Sequence, residues 1–435
     1  MIKVIAGKEF KQITRDGKIR LSASILILML IVSLVTAAIR YLDISAERAT
    51  AQSIIMEQWL GQGEKNPHAA AHYGVYAFKT VTPLAFFDTG ISSYAGIAIW
   101  LEAHKKNEAF GEPVKDMTSL ARQGELTAAF TLQILLPLLV IFLTYSTFSG
   151  ERESGTFLQI KSLGVPPIKL LIGKAAGISM AIGLIILPLL IIPVTMLFFS
   201  SGSTQFLTQG VSLIGLYILY SAVFMFLSMA VSAYSKTTKN ALIIMLSFWV
   251  ITTFILPRIS ADMASAMHHL PSYHRFVQLI ETGKQEGVHG QNPASVIEKR
   301  KQKLLKLYKA NDIKELPINF QGIIFSIQEE LGNQVYDKYY GELNALFYHQ
   351  LNIYKLMSIV SPRLSVQLAS MELSGTGLTH HIDFLNQAET YRRKLVTAMN
   401  NDMTMNSISG DPTYRANSLL WGAVEPFSHK ILSLP

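Results

Sequence analysis

The amino-acid sequence predicts an all-α polytopic membrane protein with five readable spans and a mostly helical extracytoplasmic domain. Half of its 435 residues are apolar and only 16% are charged. This composition is too apolar for an ordinary soluble protein and too polar for one that lies wholly within a membrane. Five long apolar runs contain no Asp, Glu, Lys, Arg or His, and polar segments of very different length separate them. The runs cover residues 21–39, 127–148, 175–200, 211–234 and 241–256.

The chain begins with a basic leader at residues 1–20, which carries six Lys and Arg side chains among apolar ones. This weakly amphipathic pattern is typical of a helix that lies on a membrane surface. The first apolar run is long enough to cross a hydrocarbon core of about 30 Å. It is long for the apolar core of a signal peptide, and no small-residue cleavage site follows it at once. We therefore expect a retained anchor.

The short loops predict the orientation, because Lys and Arg accumulate on the cytosolic side of a membrane. The leader, the loop at 149–174 and the turn with Lys236 and Lys239 are basic, and they fall on one side if the spans alternate. The opposite loop at 201–210 carries no charge. The N-terminus is thus predicted to be cytosolic. This orientation places two long polar segments outside, at residues 40–126 and 257–416.

The two outer segments predict one helical domain with its own core. The first begins helically up to Leu60 and then becomes rich in Gly, Pro and aromatic residues, so irregular packed structure is expected over 66–94. The second is mostly helical and is interrupted at Pro362. The tail at 417–435 contains Glu, His and Lys, which makes it unfit to span lipid.

Several kinds of chemistry are excluded by the sequence. The chain has no cysteine, which rules out disulfides and thiolate metal sites. Its formal charge of +8 lies largely beside the apolar runs, where it sets orientation, so no nucleic-acid partner is predicted. Gly173-Lys174 is followed by Ala175, whereas a nucleotide-binding P-loop needs Ser or Thr there. The chain is therefore not predicted to be an enzyme or to bind a cofactor, and ATP-Mg, if used, belongs to a partner subunit.

The loop at 149–174 contains a compact charged turn between two predicted spans. Ser154 is placed to cap a short helix whose apolar side chains lie against a surface, and Gly164 is placed to stop it. A short amphipathic helix presented at a membrane face can serve as a binding surface for another protein. The alternative is that any polytopic protein needs polar loops with Lys and Arg, and spacing alone favours this alternative.

His68 and His72 are candidate metal ligands. They stand four residues apart after Asn66 and Pro67, which are suited to the cap and first position of a helix, so both imidazoles share a face. With Glu102 or His104 nearby, they can bind Zn or Cu. A purely structural role, in which the histidines make hydrogen bonds within a packed loop, is the favoured alternative.

The 149–174 loop resembles the loop after the second span of ABC type-2 transporter permeases, and the outer segments are similar to a subfamily with a large extracytoplasmic helical domain. In that family the loop forms a coupling helix that docks on a cytosolic ATPase. The family usually has six spans, and the sixth is expected near the point where this sequence ends. The resemblance assigns ATPase coupling to Glu151, Arg152, Glu153, Ser154, Gly155, Thr156, Leu163 and Gly164. The outer similarity lies in Asn66-Pro67-His68, His72-Tyr73-Gly74, Leu101-Glu102-Ala103-His104, Ser361-Pro362, His380-His381, and Ala388-Glu389 with Tyr391-Arg392-Arg393.

The resemblance implies a permease subunit of a bacterial ATP-driven exporter in the inner membrane. The implied partners are a cytosolic ABC ATPase, the lipid membrane, and a second permease that is identical or a sister subunit. Two alternatives are kept. One is a non-transporting envelope protein whose outer domain binds a partner, polymer or metal. The other is a metal-handling exporter that uses His68 and His72.

Overall fold

The computed structural model confirms the all-α polytopic class. It describes residues 1–112, 115, 126–201, 204–288, 290 and 292–432. The rest of the chain, which includes parts of the first outer segment, the uncharged loop and the tail, lies outside the described residues. The helices are α1 (Ile2–Arg15), α2 (Gly17–Leu60), α3 (Pro67–Tyr73), α4 (Ala128–Thr144), α5 (Ser149–Glu153), α6 (Thr156–Ser162), α7 (Pro167–Ser201), α8 (Thr204–Tyr234), α9 (Thr238–Val250), α10 (Leu256–Met267), α11 (Tyr273–Glu286), α12 (Pro293–Tyr308), α13 (Phe320–Ser358), α14 (Pro362–Leu373), α15 (Leu378–Asn406) and α16 (Ser418–Ala423).

Within the described residues, five helical stretches are long and apolar enough to cross a membrane. Each of them contains all or most of one predicted span, and most extend beyond it. The first helix continues as far as Leu60, and the last passes through a π-helical turn, Ile251–Ile255, into α10. The candidate spans are Gly17–Leu60, Ala128–Glu153, Pro167–Thr195, Thr204–Tyr234 and Thr238–Met267.

Helix α4 forms the centre of the bundle. Leu132, Leu136 and Val140 on this helix are fully buried, and α2, α7, α8 and α9 all pack against it. The outer faces of the surrounding helices instead expose large apolar side chains such as Leu28 and Leu184. Such faces suit a lipid environment, where apolar surface carries no penalty.

The basic leader forms α1, which crosses α7 at very close range. A Cβ atom added at Gly173 would lie 2.7 Å from the Ile5 side chain, and one at Gly177 would lie 2.5 Å from the Ala6 carbonyl oxygen. Small residues four apart let two helix backbones approach closely. The leader is therefore packed against the bundle along one face, and only its basic face is free.

The distal domain comprises the far end of α2, residues 61–112 and the chain from α10 to residue 432. Its first part contains a three-stranded antiparallel sheet made of β1 (Val75–Phe78), β2 (Ala98–Glu102) and β3 (Lys105–Lys106), with Val75 opposite Leu101. The prediction of irregular structure over 66–94 was therefore wrong for β1, and the sequence analysis did not predict β2 or β3. The strands are only two to five residues long and lie among Gly, Pro and aromatic residues, which hid their alternation.

The core of the distal domain joins distant parts of the chain. Trp59 at the end of α2 and Trp421 on α16 are fully buried in edge-to-face contact, and each indole N–H donates to a backbone carbonyl oxygen. Residue Lys65 pairs with Ala416 through two backbone hydrogen bonds. The residues predicted to be a tail thus contribute to this core, together with α3, the sheet and α15.

The distal domain is fixed to the bundle where α13 meets α14. The π-helical turn contains Thr252 and Thr253, whose backbone carbonyls accept hydrogen bonds from the start of α14. The hydroxyl of Ser361 donates to the Thr252 carbonyl at 2.8 Å, and the Arg363 guanidinium donates to the Thr253 carbonyl at 2.6 Å. Helix α14 then packs on α4 and α8. Ser361 and Arg363 thus tie the start of α14 to the π-helical turn of the fifth candidate span.

In the distal domain, His381 and His429 lie near Lys79, and we expect this cluster to make the stability of the domain sensitive to acid. Burial, with the nearby Lys79 charge, lowers the pKa of both His381 and His429 to about 4. The Thr80 N–H donates to Nδ1 of His429, a bond that requires this nitrogen to be unprotonated. The unfolded chain binds protons near pH 6.5 and the folded chain does not, so stability is lost as pH falls from about 6.5 towards 4.

We expect the loss to approach about 1 kcal/mol per pH unit for each histidine. Thermal unfolding of the protein in detergent at pH 7.5, 6 and 5 measures it. The variant His429→Gln should show a flatter dependence on pH than the parent protein. An equally steep dependence in both would show that His429 does not contribute.

Candidate coupling surface and histidine cluster

The charged turn predicted between two spans forms α5, and its acidic residues point inwards. Lys174 on α7 is 2% exposed. Its ammonium lies 2.8 Å from Glu151 Oε1 and 2.7 Å from Glu9 Oε1 of α1, and it donates to the Thr147 carbonyl at 3.1 Å. One buried lysine thus ties α5 to both α1 and α7.

The rest of the turn binds α8 and α9. The Arg152 guanidinium donates to the carbonyl oxygens of Ser235 and Ala233 at the end of α8. The carboxylate of Glu153 accepts from the N–H and the hydroxyl of Thr238, the first residue of α9, at 3.1 and 2.8 Å. An anion at a helix N-terminus is favoured by the helix dipole. Helix α4 leads directly into this turn, and α5 is bonded to α1, α7, α8 and α9 at this end of the bundle.

Helix α6 presents the outward surface. None of its residues is buried, and the side chains of Leu158 and Leu163 are 70% and 78% exposed. Phe157 and Ile160 on the opposite side pack against the bundle core, and the Arg152 guanidinium lies 5.8 Å from the centre of the Phe157 ring. The helix therefore rests on the bundle by one face and offers an apolar edge with the other.

The ends of α6 differ in part from the prediction. Gly155, with φ of 74°, is the N-cap residue, whereas Ser154 ends α5, so the predicted Ser154 cap was wrong. The hydroxyls of Ser154 and Thr156 instead contact each other at 2.9 Å, which braces the turn between the two helices. Gly164, with φ of 71°, follows the end of α6 as predicted.

The eight residues assigned to coupling therefore divide into three groups, of which the first shapes the turns at the two ends of α6 and consists of Ser154, Gly155, Thr156 and Gly164. Glu151, Arg152 and Glu153 hold the turn to its neighbours, and Leu163 belongs to the exposed surface. Sequence reasoning missed Lys174 and Glu9 as members of this network. Their separation by 165 positions gave no local signal, although two opposite charges beside apolar runs are a reason to look for a partner.

A second site lies in the distal domain, where three histidines meet. Asn66 caps α3 and Pro67 begins it, as predicted, so His68 and His72 share one face. Their Nε2 atoms are 3.2 Å apart. The turn between β2 and β3 brings His104 to the same place, and one ring nitrogen from each of the three lies within 4.8 Å of the others.

His104 is held firmly by α13. Its ring Nδ1 lies 2.9 Å from Glu329 Oε1, its backbone N–H donates to the same oxygen, and its carbonyl accepts from the Tyr336 hydroxyl at 2.9 Å. His104 has φ of 62°, a conformation that non-glycine residues rarely adopt. Burial alone would raise the pKa of Glu329, but the hydrogen bonds from His104 and the Arg392 charge hold it at about 2.

The electrostatic environment disfavours protonation of His68 and His72. Burial, together with the two neighbouring rings, lowers the pKa of His68 to about 4, and burial followed by His104 lowers the pKa of His72. Glu102, the other predicted neighbour, does not complete the cluster. Its carboxylate accepts from the Asn107 amide at 3.1 Å and pairs with Lys105. Sequence reasoning named His104 only as an alternative and missed Glu329, which lies 225 positions away.

Comparison with known families identifies both halves of the chain. The model of the ABC-2 family of transporter proteins matches residues 3–318, which include the bundle with α5 and α6. A domain of unknown function, DUF3526, matches residues 277–430, which lie in the distal domain. No curated protein matches the chain. The match over nearly three quarters of the sequence confirms the predicted resemblance. The chain is therefore a multi-pass membrane protein of the ABC-2 transporter family, and it is a permease of an ABC transporter.

Proposed function

We propose that this chain is the permease subunit of a bacterial ATP-driven exporter, and that a separate cytosolic ATPase docks on α6. The observation that carries the proposal is the pairing of an exposed apolar edge on α6 with a turn, α5, that is bonded to α1, α7, α8 and α9. A surface that only binds a partner would need only the exposed apolar edge of α6. A surface that transmits force also needs rigid attachment to the parts that move.

The transmission follows from the contacts of α5. ATP-driven closure of the partner displaces α6, and Gly155 on one side and Gly164 on the other set the ends of the displaced segment. The displacement passes through Glu151 and Lys174 to α1 and α7, and through Arg152 and Glu153 to α8 and α9. All spans linked at this end are then tilted together. In this proposal the chain itself binds no nucleotide, and ATP-Mg is held by the partner.

The proposed arrangement has the N-terminus and α6 in the cytosol and the distal domain outside the inner membrane. It is supported by the basic residues near α5 and on α1, where Lys3 and Lys11 are exposed and Lys8 lies 3.6 Å from Glu151. Two permease subunits, identical or paired with a sister chain, enclose the transport path.

Replacing Leu158 by Asp is expected to weaken ATPase binding by about 30-fold or more, because a charge in the centre of an apolar interface removes roughly 2 kcal/mol or more. The measurement is co-purification of the ATPase with the tagged permease, together with transport-coupled ATP hydrolysis in proteoliposomes. Leu419→Asp is the matched control, since Leu419 is 81% exposed on α16 of the distal domain. Equal ATPase retention in both variants would contradict the proposal.

A single introduced cysteine tests the orientation independently. The chain contains no cysteine, so Leu158→Cys and Leu419→Cys each create one unique thiol. In intact cells, a membrane-impermeant maleimide is expected to label the cysteine at position 419 and not the one at 158. Labelling of position 158 from outside would overturn the cytosolic placement of α6.

A further inference from the structure

The histidine cluster of the distal domain has the spacing of a metal site. Zinc binds imidazole nitrogen at about 2.0–2.1 Å in tetrahedral geometry, which places two ligand nitrogens about 3.3–3.4 Å apart. The Nε2 atoms of His68 and His72 are 3.2 Å apart. The ring nitrogen of His104 lies within 4.8 Å of both.

The atoms behind the cluster match what metal-bound histidines require. A ligating imidazole usually donates its second N–H to a carboxylate or amide oxygen, which fixes its orientation. Glu329 supplies this acceptor for Nδ1 of His104 and leaves Nε2 free. For His68, the Asn400 amide lies beside the ring. Asn400 is 1% exposed, and its Oδ1 and the Nδ1 of His68 are both buried without a hydrogen bond.

The position of His68 is further fixed by packing. Its ring stacks on Phe325 of α13, with centroids 3.5 Å apart and planes 4° from parallel. His72 is exposed, so the cluster opens to solvent on one side. That opening provides both an entry path for an ion and room for a water molecule as a fourth ligand.

A hydrogen bond between His68 and His72 is the simplest alternative explanation of their close approach. It accounts for two of the three rings, because one neutral imidazole can donate to the other. It does not account for the third nitrogen nearby, or for His104 being held at three atoms by α13 in a rare backbone conformation. Three imidazoles that converge, with Glu329 behind His104 and Asn400 beside His68, are better explained by a shared cation.

We propose that His68, His72 and His104 bind one divalent transition-metal ion of the class that prefers imidazole ligands, with Zn²⁺ as its representative. The ion joins α3 to the turn between β2 and β3, and Glu329 connects this turn to α13. Metal binding therefore stabilises the distal domain. This inference goes beyond the transport function and does not depend on the identity of the ATPase.

The test uses the full-length protein in detergent, stripped of metal with EDTA and then dialysed free of the chelator. Isothermal titration with ZnCl₂ is expected to show one ion per chain, and Zn²⁺ is expected to raise the midpoint of thermal unfolding. Co²⁺ in place of Zn²⁺ should give the visible absorption of a tetrahedral site. Changes in the supporting shell alone weaken metal affinity by about 10–100-fold, so His72→Ala is expected to weaken it by roughly 100-fold or more.

His72→Ala is the main variant because His72 is exposed and its loss leaves the core intact. The matched control is His349→Ala, which removes one ring of the stacked pair His268 and His349, 5.1 Å apart elsewhere in the distal domain. Loss of binding in His72→Ala with full binding in His349→Ala supports the site. No stoichiometric binding by the parent protein, or equal binding by His72→Ala, overturns it.

Discussion

Replacing Lys174 by Met is expected to lower the free energy of unfolding by about 3–5 kcal/mol, because it leaves two carboxylates without their shared cation in a buried site. The side chains of Glu9 and Glu151 are only 10% and 12% exposed, and the lysine is 2% exposed. Removal of one partner from a buried ion pair costs far more than the pair itself contributes. Thermal unfolding of the purified permease in detergent measures the effect.

Two controls separate the ion network from a general effect on α7. Lys169→Met changes an exposed lysine on the same helix and is expected to alter stability by less than about 0.5 kcal/mol. The triple variant Glu9→Gln, Glu151→Gln, Lys174→Met removes all three charges and should recover part of the loss. If Lys174→Met and Lys169→Met unfold at the same temperature, the network does not hold this end of the bundle together.

Replacing Arg392 by Met is expected to destabilise the distal domain by a similar amount, about 3–5 kcal/mol. Arg392 is fully buried, and its guanidinium contacts both oxygens of Glu389 at 2.9 and 3.0 Å and Glu329 Oε2 at 3.0 Å. It also donates to the Asn333 amide oxygen. The variant leaves the buried carboxylates of Glu389 and Glu329 without the guanidinium that now pairs with both.

The adjacent arginine provides the matched control. Arg393 also contacts Glu389, but it is 31% exposed and its second partner, Asp337, is 60% exposed. Arg393→Met is therefore expected to cost about 1 kcal/mol or less. Limited proteolysis and thermal unfolding should both report a less stable domain for Arg392→Met alone. Equal stability of the two variants would contradict a central role for Arg392.

The long helices could be predicted from the sequence because their signal is local. An apolar run without charge must satisfy its backbone within itself in lipid, so its length and composition suffice to predict a helix. Pro362 and Gly164 likewise predicted interruptions, since each acts on the backbone next to it. The short sheet was missed because β1 and β2 gain their pairing from each other, 20 or more positions apart.

The candidate sites could be predicted only in part. The loop at 149–174 was identified, but the inward direction of Glu151 and Glu153 depends on Lys174 and Thr238, which the fold brings to them. The histidine pair on α3 followed from the Asn66 cap and the helical period. The third histidine and its carboxylate come from β2–β3 and α13, and their approach is fixed by tertiary packing that no local pattern encodes.

The unbroken length of α2 has a mechanical consequence. Its 44 residues make a rod of about 66 Å that starts beside α1 and ends at the buried Trp59. Because it has no internal break, a tilt of about five degrees around its midpoint shifts each tip by about 3 Å. In the proposed mechanism, α2 therefore acts as a lever: a displacement that α5 passes to α1, and α1 to α2, would reach the tryptophan pair without any change in secondary structure.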